Sequence, residues 1–165
     1  MNDFITIGIS DMQVSSAPAA FVTYALGSCV GICLYDPVCK VGGLGHIMLP
    51  YFPEDHPNER VHRYADTCLP EMVKAMQRMG CIPSRITAKI AGGAKMFNVA
   101  DDCGFGNIGA RNIVAVKETL QKLKVRIIAE DTGLDYGRTV YFYTDNGTMV
   151  VKSCTKGTKT FQECF

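Results

Sequence analysis

Eight short apolar runs, each closed by glycine, proline or an Asp/Asn turn, constrain the fold of this chain more than any other feature. They are Phe4 to Ser10, Phe21 to Leu26, Val30 to Tyr35, Leu44 to Leu49, Arg85 to Ala91, Val125 to Glu130, Thr139 to Tyr143 and Thr148 to Lys152, and all read as strands. Only two segments carry helical spacing. From Val61 to Met79 the residues Val61, Tyr64, Ala65, Cys68, Met72, Met76 and Met79 recur at steps of three and four, with Asn58 as the expected cap and Gly80 as the stop. Pro70 lacks a backbone donor and predicts a kink or split there. The second segment, Asn107 to Lys124, sets Ile113, Val116, Leu120 and Leu123 against Lys117, Glu118 and Lys122. Strands at both ends with helices between them predict a mixed α+β fold in layers, not a regularly alternating parallel sheet.

At 165 residues the chain has the size of one domain, expected to span 1–165, and no internal repeat or linker divides it. A formal net charge of +1 gives no electrostatic draw toward nucleic acid or an anionic bilayer, so a protein or small-molecule partner is expected. No apolar run approaches the ~20 residues that span a bilayer, and no leader pattern opens the chain, which predicts a cytoplasmic protein without membrane insertion. In that compartment the 8 cysteines are expected as thiols, and Asn146-Gly147-Thr148 as an Asn-Gly turn instead of a glycosylation site.

The chemistry concentrates between Thr23 and Pro50. Cys29 lies inside Gly27-Ser28-Cys29-Val30-Gly31, where glycines permit a tight turn and close approach of a substrate to sulfur. His46 follows on the next apolar run. A thiol of pKa about 8.5 is a minor thiolate population at neutral pH, so catalysis needs an imidazole within hydrogen-bond reach. Adjacent strands could supply that pair, with Thr23 as a third member orienting the ring. Cys29, Cys33, Cys39 and His46 also raise a zinc site, but none of their spacings is the Cys-x-x-Cys knuckle. On a strand Cys29 and Cys33 would share a side yet lie about 13 Å apart, which opposes a common ion. Cys68, Cys81, Cys103, Cys154 and Cys164 are read as packing or surface residues, and His56 and His62 as solvated. Gly104-Phe-Gly106-Asn-Ile-Gly109 matches a dinucleotide fingerprint, but polar residues precede it where a strand is required, so a loop opening the helix near Asn107 is the better reading. Gly92-Gly93-Ala94-Lys95 lacks phosphate-loop spacing, and no cofactor is expected.

These residues sit in a chain that resembles the CheD family of chemoreceptor glutamine deamidases. The resemblance runs through Thr23 to Pro50, Tyr64-Ala-Asp-Thr67, Gly92-Gly-Ala-Lys-Met-Phe97, Ile108-Gly-Ala-Arg-Asn112, Ala129-Glu-Asp131 and Tyr136-Gly-Arg-Thr-Val-Tyr141. It implies a layered α/β/β sandwich with two mixed sheets and two main helices. It also implies Cys29 as nucleophile, His46 as base and Thr23 as the third catalytic residue, with oxyanion donors to be sought in the backbone N–H groups of Ser28 and Cys29. The implied substrates are methyl-accepting chemotaxis receptors and the implied second partner is a CheC-type phosphatase. Departures from the family pattern fall at Ala25, Ala91 and Leu134-Asp135. Two other readings compete: a regulatory binding module with little catalysis, and a cysteine hydrolase of receptor methyl esters. The Pro- and charge-rich segment Tyr51 to Arg60 could line a substrate groove or be a plain surface loop.

Overall fold

A computed structural model describes residues 3–96 and 107–162. In chain order the strands are β1 (Phe4–Thr6), β2 (Asp11–Ser16), β3 (Ala20–Leu26), β4 (Val30–Asp36), β5 (Val41–Ile47), β6 (Thr87–Gly92), β7 (Arg126–Thr132), β8 (Arg138–Tyr143), β9 (Thr148–Ser153) and β10 (Gly157–Phe161). Helix α1 (Ala65–Arg78) follows β5, and α2 (Ile108–Lys122) precedes β7. The strands form two five-stranded sheets, ordered β1-β3-β8-β9-β10 and β2-β5-β4-β6-β7. Each is mixed, with one parallel pair, β1–β3 in the first and β6–β7 in the second. Both helices pack on the second sheet, whose other face meets the first sheet. The α/β/β layering is therefore the one expected.

Two cores follow from the composition of β4 and β5. In β4, Val30, Ile32 and Leu34 join α1 and α2 in one apolar cluster, while Cys33 and Tyr35 join Phe21, Val140 and Phe142 in another between the sheets. A strand covered on both faces has no polar side to show, which is why it reads as a continuous apolar run. Strand β5 is thinned by glycine instead. A Cβ on Gly45 would lie 2.8 Å from Met72 Sδ, and one on Gly42 would lie 2.8 Å from the Phe142 ring. Neighbouring layers therefore press directly onto its backbone. No helix among the described residues is long and apolar enough to cross a membrane.

The structure adds two strands that the apolar pattern missed. Both β2 and β10 are edge strands with sequences DMQVSS and GTKTF, and a half-exposed edge needs little apolar character. The run expected from Phe4 to Ser10 stops at Thr6, and Ser10, at φ 65°, turns the chain into β2. Helix α1 starts at Ala65, not near Asn58, because Val61–Arg63 forms a 3₁₀ turn and Tyr64 is extended, bridging Leu49. Backbone carbonyls of Leu49 and Pro50 accept the N–H groups of Ala65 and Asp66, so no side-chain cap is used. Pro70 does not split the helix: Cys68, Leu69, Met72 and Met76 are fully buried around it, enough to offset a proline cost of about 3 kcal/mol. At the other end Gly80, at φ 96°, closes a Schellman motif in which Gly80 and Cys81 donate to Gln77 and Met76. Because Met72 is fully buried between α1 and the Gly43/Gly45 backbone, Met72→Ala should lower stability by about 2–5 kcal/mol in urea unfolding.

Candidate active site

His46 is the second-last residue of β5, held between β2 and β4 by pairing with Asp11 on one side and Gly31 on the other. Its side chain points between the sheets and is fully buried. There it meets Thr23 of β3, whose Oγ1 lies 2.6 Å from His46 Nδ1 and 2.7 Å from the Ile7 carbonyl oxygen. A hydroxyl has one proton, and the Ile7 carbonyl can only accept. Thr23 therefore donates to Ile7 and accepts from Nδ1–H, which assigns the tautomer and leaves Nε2 with a free lone pair. Among the described residues Nε2 has no hydrogen-bond partner. Burial lowers the imidazole from its ordinary 6.5 to about 4, so the ring is neutral at pH 7.

Cys29 lies one residue beyond the last β4–β5 pair, Val30 with Ile47. It shares a face with Gly31, the residue opposite His46, and is thus its diagonal neighbour across the strand pair. Such neighbours have Cα atoms roughly 7–8 Å apart, with Cβ atoms closer, which an imidazole can bridge. Gly31 adds no side chain of its own there, and a Cβ on it would meet Leu26 Cδ1 at 3.1 Å and Thr23 Cγ2 at 3.7 Å. Cys29 is 9% exposed, whereas His46 is fully buried. Burial raises the thiol above its ordinary value, opposed in part by its own backbone N–H. Both groups rest uncharged.

The turn carrying Cys29 is held through three successive carbonyls. Gly27 accepts from Ala94 N–H at 2.8 Å, Cys29 from Gly93 N–H at 2.8 Å, and Ser28 from the Asn112 side-chain amide at 2.9 Å. The supporting turn needs glycine: Gly92 has φ 114°, and a Cβ there would collide with the Cys29 carbonyl oxygen. Behind it, Gly133 N–H donates to Gly92, and the buried Arg138 donates to the Gly133 carbonyl at 3.0 Å while pairing with Asp131 at 3.5 Å. The blocks around Gly92, Asp131 and Arg138 thus form the bed on which the Cys29 turn rests.

Thr23 and His46 are in contact, Cys29 is the diagonal neighbour of His46 across β4 and β5, and the remaining metal and nucleotide candidates among the described residues do not converge on this point. Cys33 is buried between the sheets, and Cys39 occupies the far turn of the β4–β5 hairpin. There Cys39 Sγ lies 3.3 Å from Cys81 Sγ, and both cluster with Asp36. The Asp36 oxygens already accept from Arg85, Val38 N–H and Ile82 N–H, leaving the carboxylate committed to these partners. Cys68 is buried, Cys154 and His56 are exposed, and Gly104 and Gly106 of the dinucleotide-like motif lie outside the described residues, as do Cys103 and Cys164. Gly109 is in the first turn of α2, against the Gly93 and Ala94 carbonyls, a packing role consistent with a helix-opening loop. Asn112 is the site residue that residue-level reading passed over: it stood in a motif block, but its position in an amphipathic helix gave no sign that it is fully buried.

A family model described as CheD chemotactic sensory transduction matches residues 48–153. The chain belongs to the CheD family. Its relatives include proteins named "Probable chemoreceptor glutamine deamidase CheD" from Caldanaerobacter subterraneus subsp. tengcongensis (44% identical, covering 94% of this chain and 96% of the relative), Lachnoclostridium phytofermentans (42%, 96% and 99%) and Desulforamulus reducens (45%, 92% and 92%). The residues matched by the family model include Gly92, Gly93, Asn112, Asp131 and Arg138 of the turns that support Cys29, and the matches to these relatives extend over 92–96% of the chain.

Two measurements follow from this geometry. An unfolded histidine takes up its proton near pH 6.5 and His46 only near 4, so stability is at its full value above 6.5 and falls as pH drops toward about 4, by about 3 kcal/mol in all. Denaturant titrations across that window should show the fall, and His46→Gln should remove this part of it. Gly92→Ala should displace the Cys29 carbonyl, slowing alkylation of Cys29 and lowering the melting temperature together.

Proposed function

We propose that this chain deamidates glutamine side chains of chemoreceptors, using Cys29 as nucleophile, His46 as general base and Thr23 to orient the imidazole. The observation that carries the reading is the Thr23–His46 contact, because a hydroxyl spent on Ile7 can only accept from Nδ1 and so leaves Nε2 as the unprotonated nitrogen of the ring. The relatives' names point to the same reaction. With both groups uncharged at rest, the proton leaves sulfur for Nε2 as the sulfur attacks the carboxamide carbon. The imidazolium then protonates the leaving nitrogen, ammonia departs and a thioester remains. Water, deprotonated by His46, attacks that thioester; the carbon–sulfur bond breaks, and glutamate and the thiol are released.

The tetrahedral intermediates need donors for their oxyanion. A trans peptide points its C=O and the following N–H in opposite directions. Because the Gly27 and Ser28 carbonyls are turned toward Ala94 and Asn112, the N–H groups of Ser28 and Cys29 are turned away from that bed, which supports them as the oxyanion donors. Thr23 is neutral and stabilises the imidazolium less than a carboxylate would.

The substrates are the methyl-accepting chemotaxis receptors, met in the cytoplasm, where glutamate formation creates sites for methylation. A CheC-type phosphatase is the second partner, competing for the receptor-binding face and coupling deamidation to signalling. Incubation with a receptor cytoplasmic fragment should release ammonia and convert specific glutamines to glutamate in peptide mass maps. Loss of a methyl group instead would replace this reading with ester hydrolysis, and receptor binding without any mass change would make the chain a regulatory module. Cys29→Ala should abolish turnover. His46→Ala should cost about 10²–10⁴-fold in kcat, and Thr23→Ala should cost less than His46→Ala because the base remains.

A further inference from the structure

The ladder between β4 and β5 ends at Val30 and Ile47, so Cys29 lies beyond the last backbone bond that joins the two strands. One side chain spans the gap. Asn112, fully buried on α2, donates one amide proton to the Ser28 carbonyl at 2.9 Å and the other to the Met48 carbonyl at 3.0 Å. Ser28 immediately precedes the nucleophile, and Met48 is two residues past the base. An NH₂ group has two protons and both are used; the reversed amide would set its oxygen against two carbonyls, so the orientation follows from the partners.

We propose that Asn112 is a positioning residue for the deamidation, holding the Ser28–Cys29 peptide plane so that the Cys29 N–H and sulfur keep their alignment with His46. The proposal rests on the catalytic reading of Cys29 and His46. Its logic is geometric. The same peptide that gives its C=O to Asn112 carries the Cys29 N–H on its opposite edge, so rotating that plane moves an oxyanion donor and the nucleophile's backbone together. The Met48 bond ties this plane to the strand of the base, so the amide sets the spacing between the two halves of the site. No contact with substrate is required of Asn112, and its loss should act on the chemical step more than on binding.

The test uses the full chain with a receptor cytoplasmic fragment. Asn112→Leu keeps the number and branching of heavy atoms but has no donor, and Asn112→Asp keeps the shape with a donor only when protonated. Asn112→Leu should fold, lower kcat by about 10²-fold and leave KM within about threefold of the parent. Asn112→Asp should be impaired at alkaline pH and recover as pH falls toward 5, since a carboxyl group can donate to Ser28 or Met48 and a carboxylate cannot. Iodoacetamide labelling of Cys29, read by peptide mapping as the ratio of the Asp variant's rate to the parent's at each pH, should show the same recovery without substrate. If the Leu variant does not fold, the Asp variant decides. Parent-like kcat in either folded variant, a change confined to KM, an Asp profile parallel to the parent's, or failure of both variants to fold would overturn the proposal. Retained turnover in Cys29→Ala would instead overturn the catalytic reading on which it stands.

Discussion

Burial of β4 and β5 on both faces is the constraint from which the rest of the structure follows. The helices cover one face of these strands and the β1-β3-β8-β9-β10 sheet covers the other, so neither outer layer can shift without moving the hairpin that carries Cys29 and His46. Close packing makes such an arrangement stiff, because a displaced side chain has no void to enter. The glycines of β5 tighten it further by letting Met72 and Phe142 approach the backbone from opposite sides. A precise site is obtained here from the middle layer of the fold, not from surface loops alone.

That choice has an electrostatic cost which the molecule meets with neutral groups and carbonyls. A buried charge needs a partner, yet among the described residues His46 has only the Thr23 hydroxyl as a hydrogen-bond partner and is held uncharged by desolvation. Other polar groups in the same layer are matched to backbone oxygen: Lys89 reaches the Gly147 and Phe161 carbonyls, and Arg138 the Gly133 carbonyl together with Asp131. These contacts tie the two sheets to each other across their apolar interface. The imidazole thus sits in a frame whose charges are already paired elsewhere.

Much of this architecture was legible in the sequence because the central strands announce themselves. Val30 to Tyr35 is apolar throughout, and a strand with two covered faces has no other way to appear. The nearness of Cys29 and His46 was legible because a hairpin brings its two ends together, whereas Thr23 stands on β3 of the other sheet, where the hairpin does not account for it. The polar edge strands β2 and β10 were not, because edges are stabilised by one neighbour and lack an apolar signature. Asn112 and the Cys39–Cys81 contact were hidden by distance along the chain: Asn112 is 84 residues from Ser28, and Cys39 is 42 from Cys81. Such contacts are set by how α2 and the α1 terminus dock, and no local pattern encodes docking.

Thr23 and His46 belong to different sheets, and this has a consequence for timing. Both lie within the first third of the chain, but Thr23 is registered by pairing with Val140 of β8. During synthesis the segment bearing all three polar residues emerges early, while the strand that seats Thr23 emerges near the end. The Thr23 hydroxyl and the His46 ring are therefore fixed against each other across the two sheets only once the chain is almost complete.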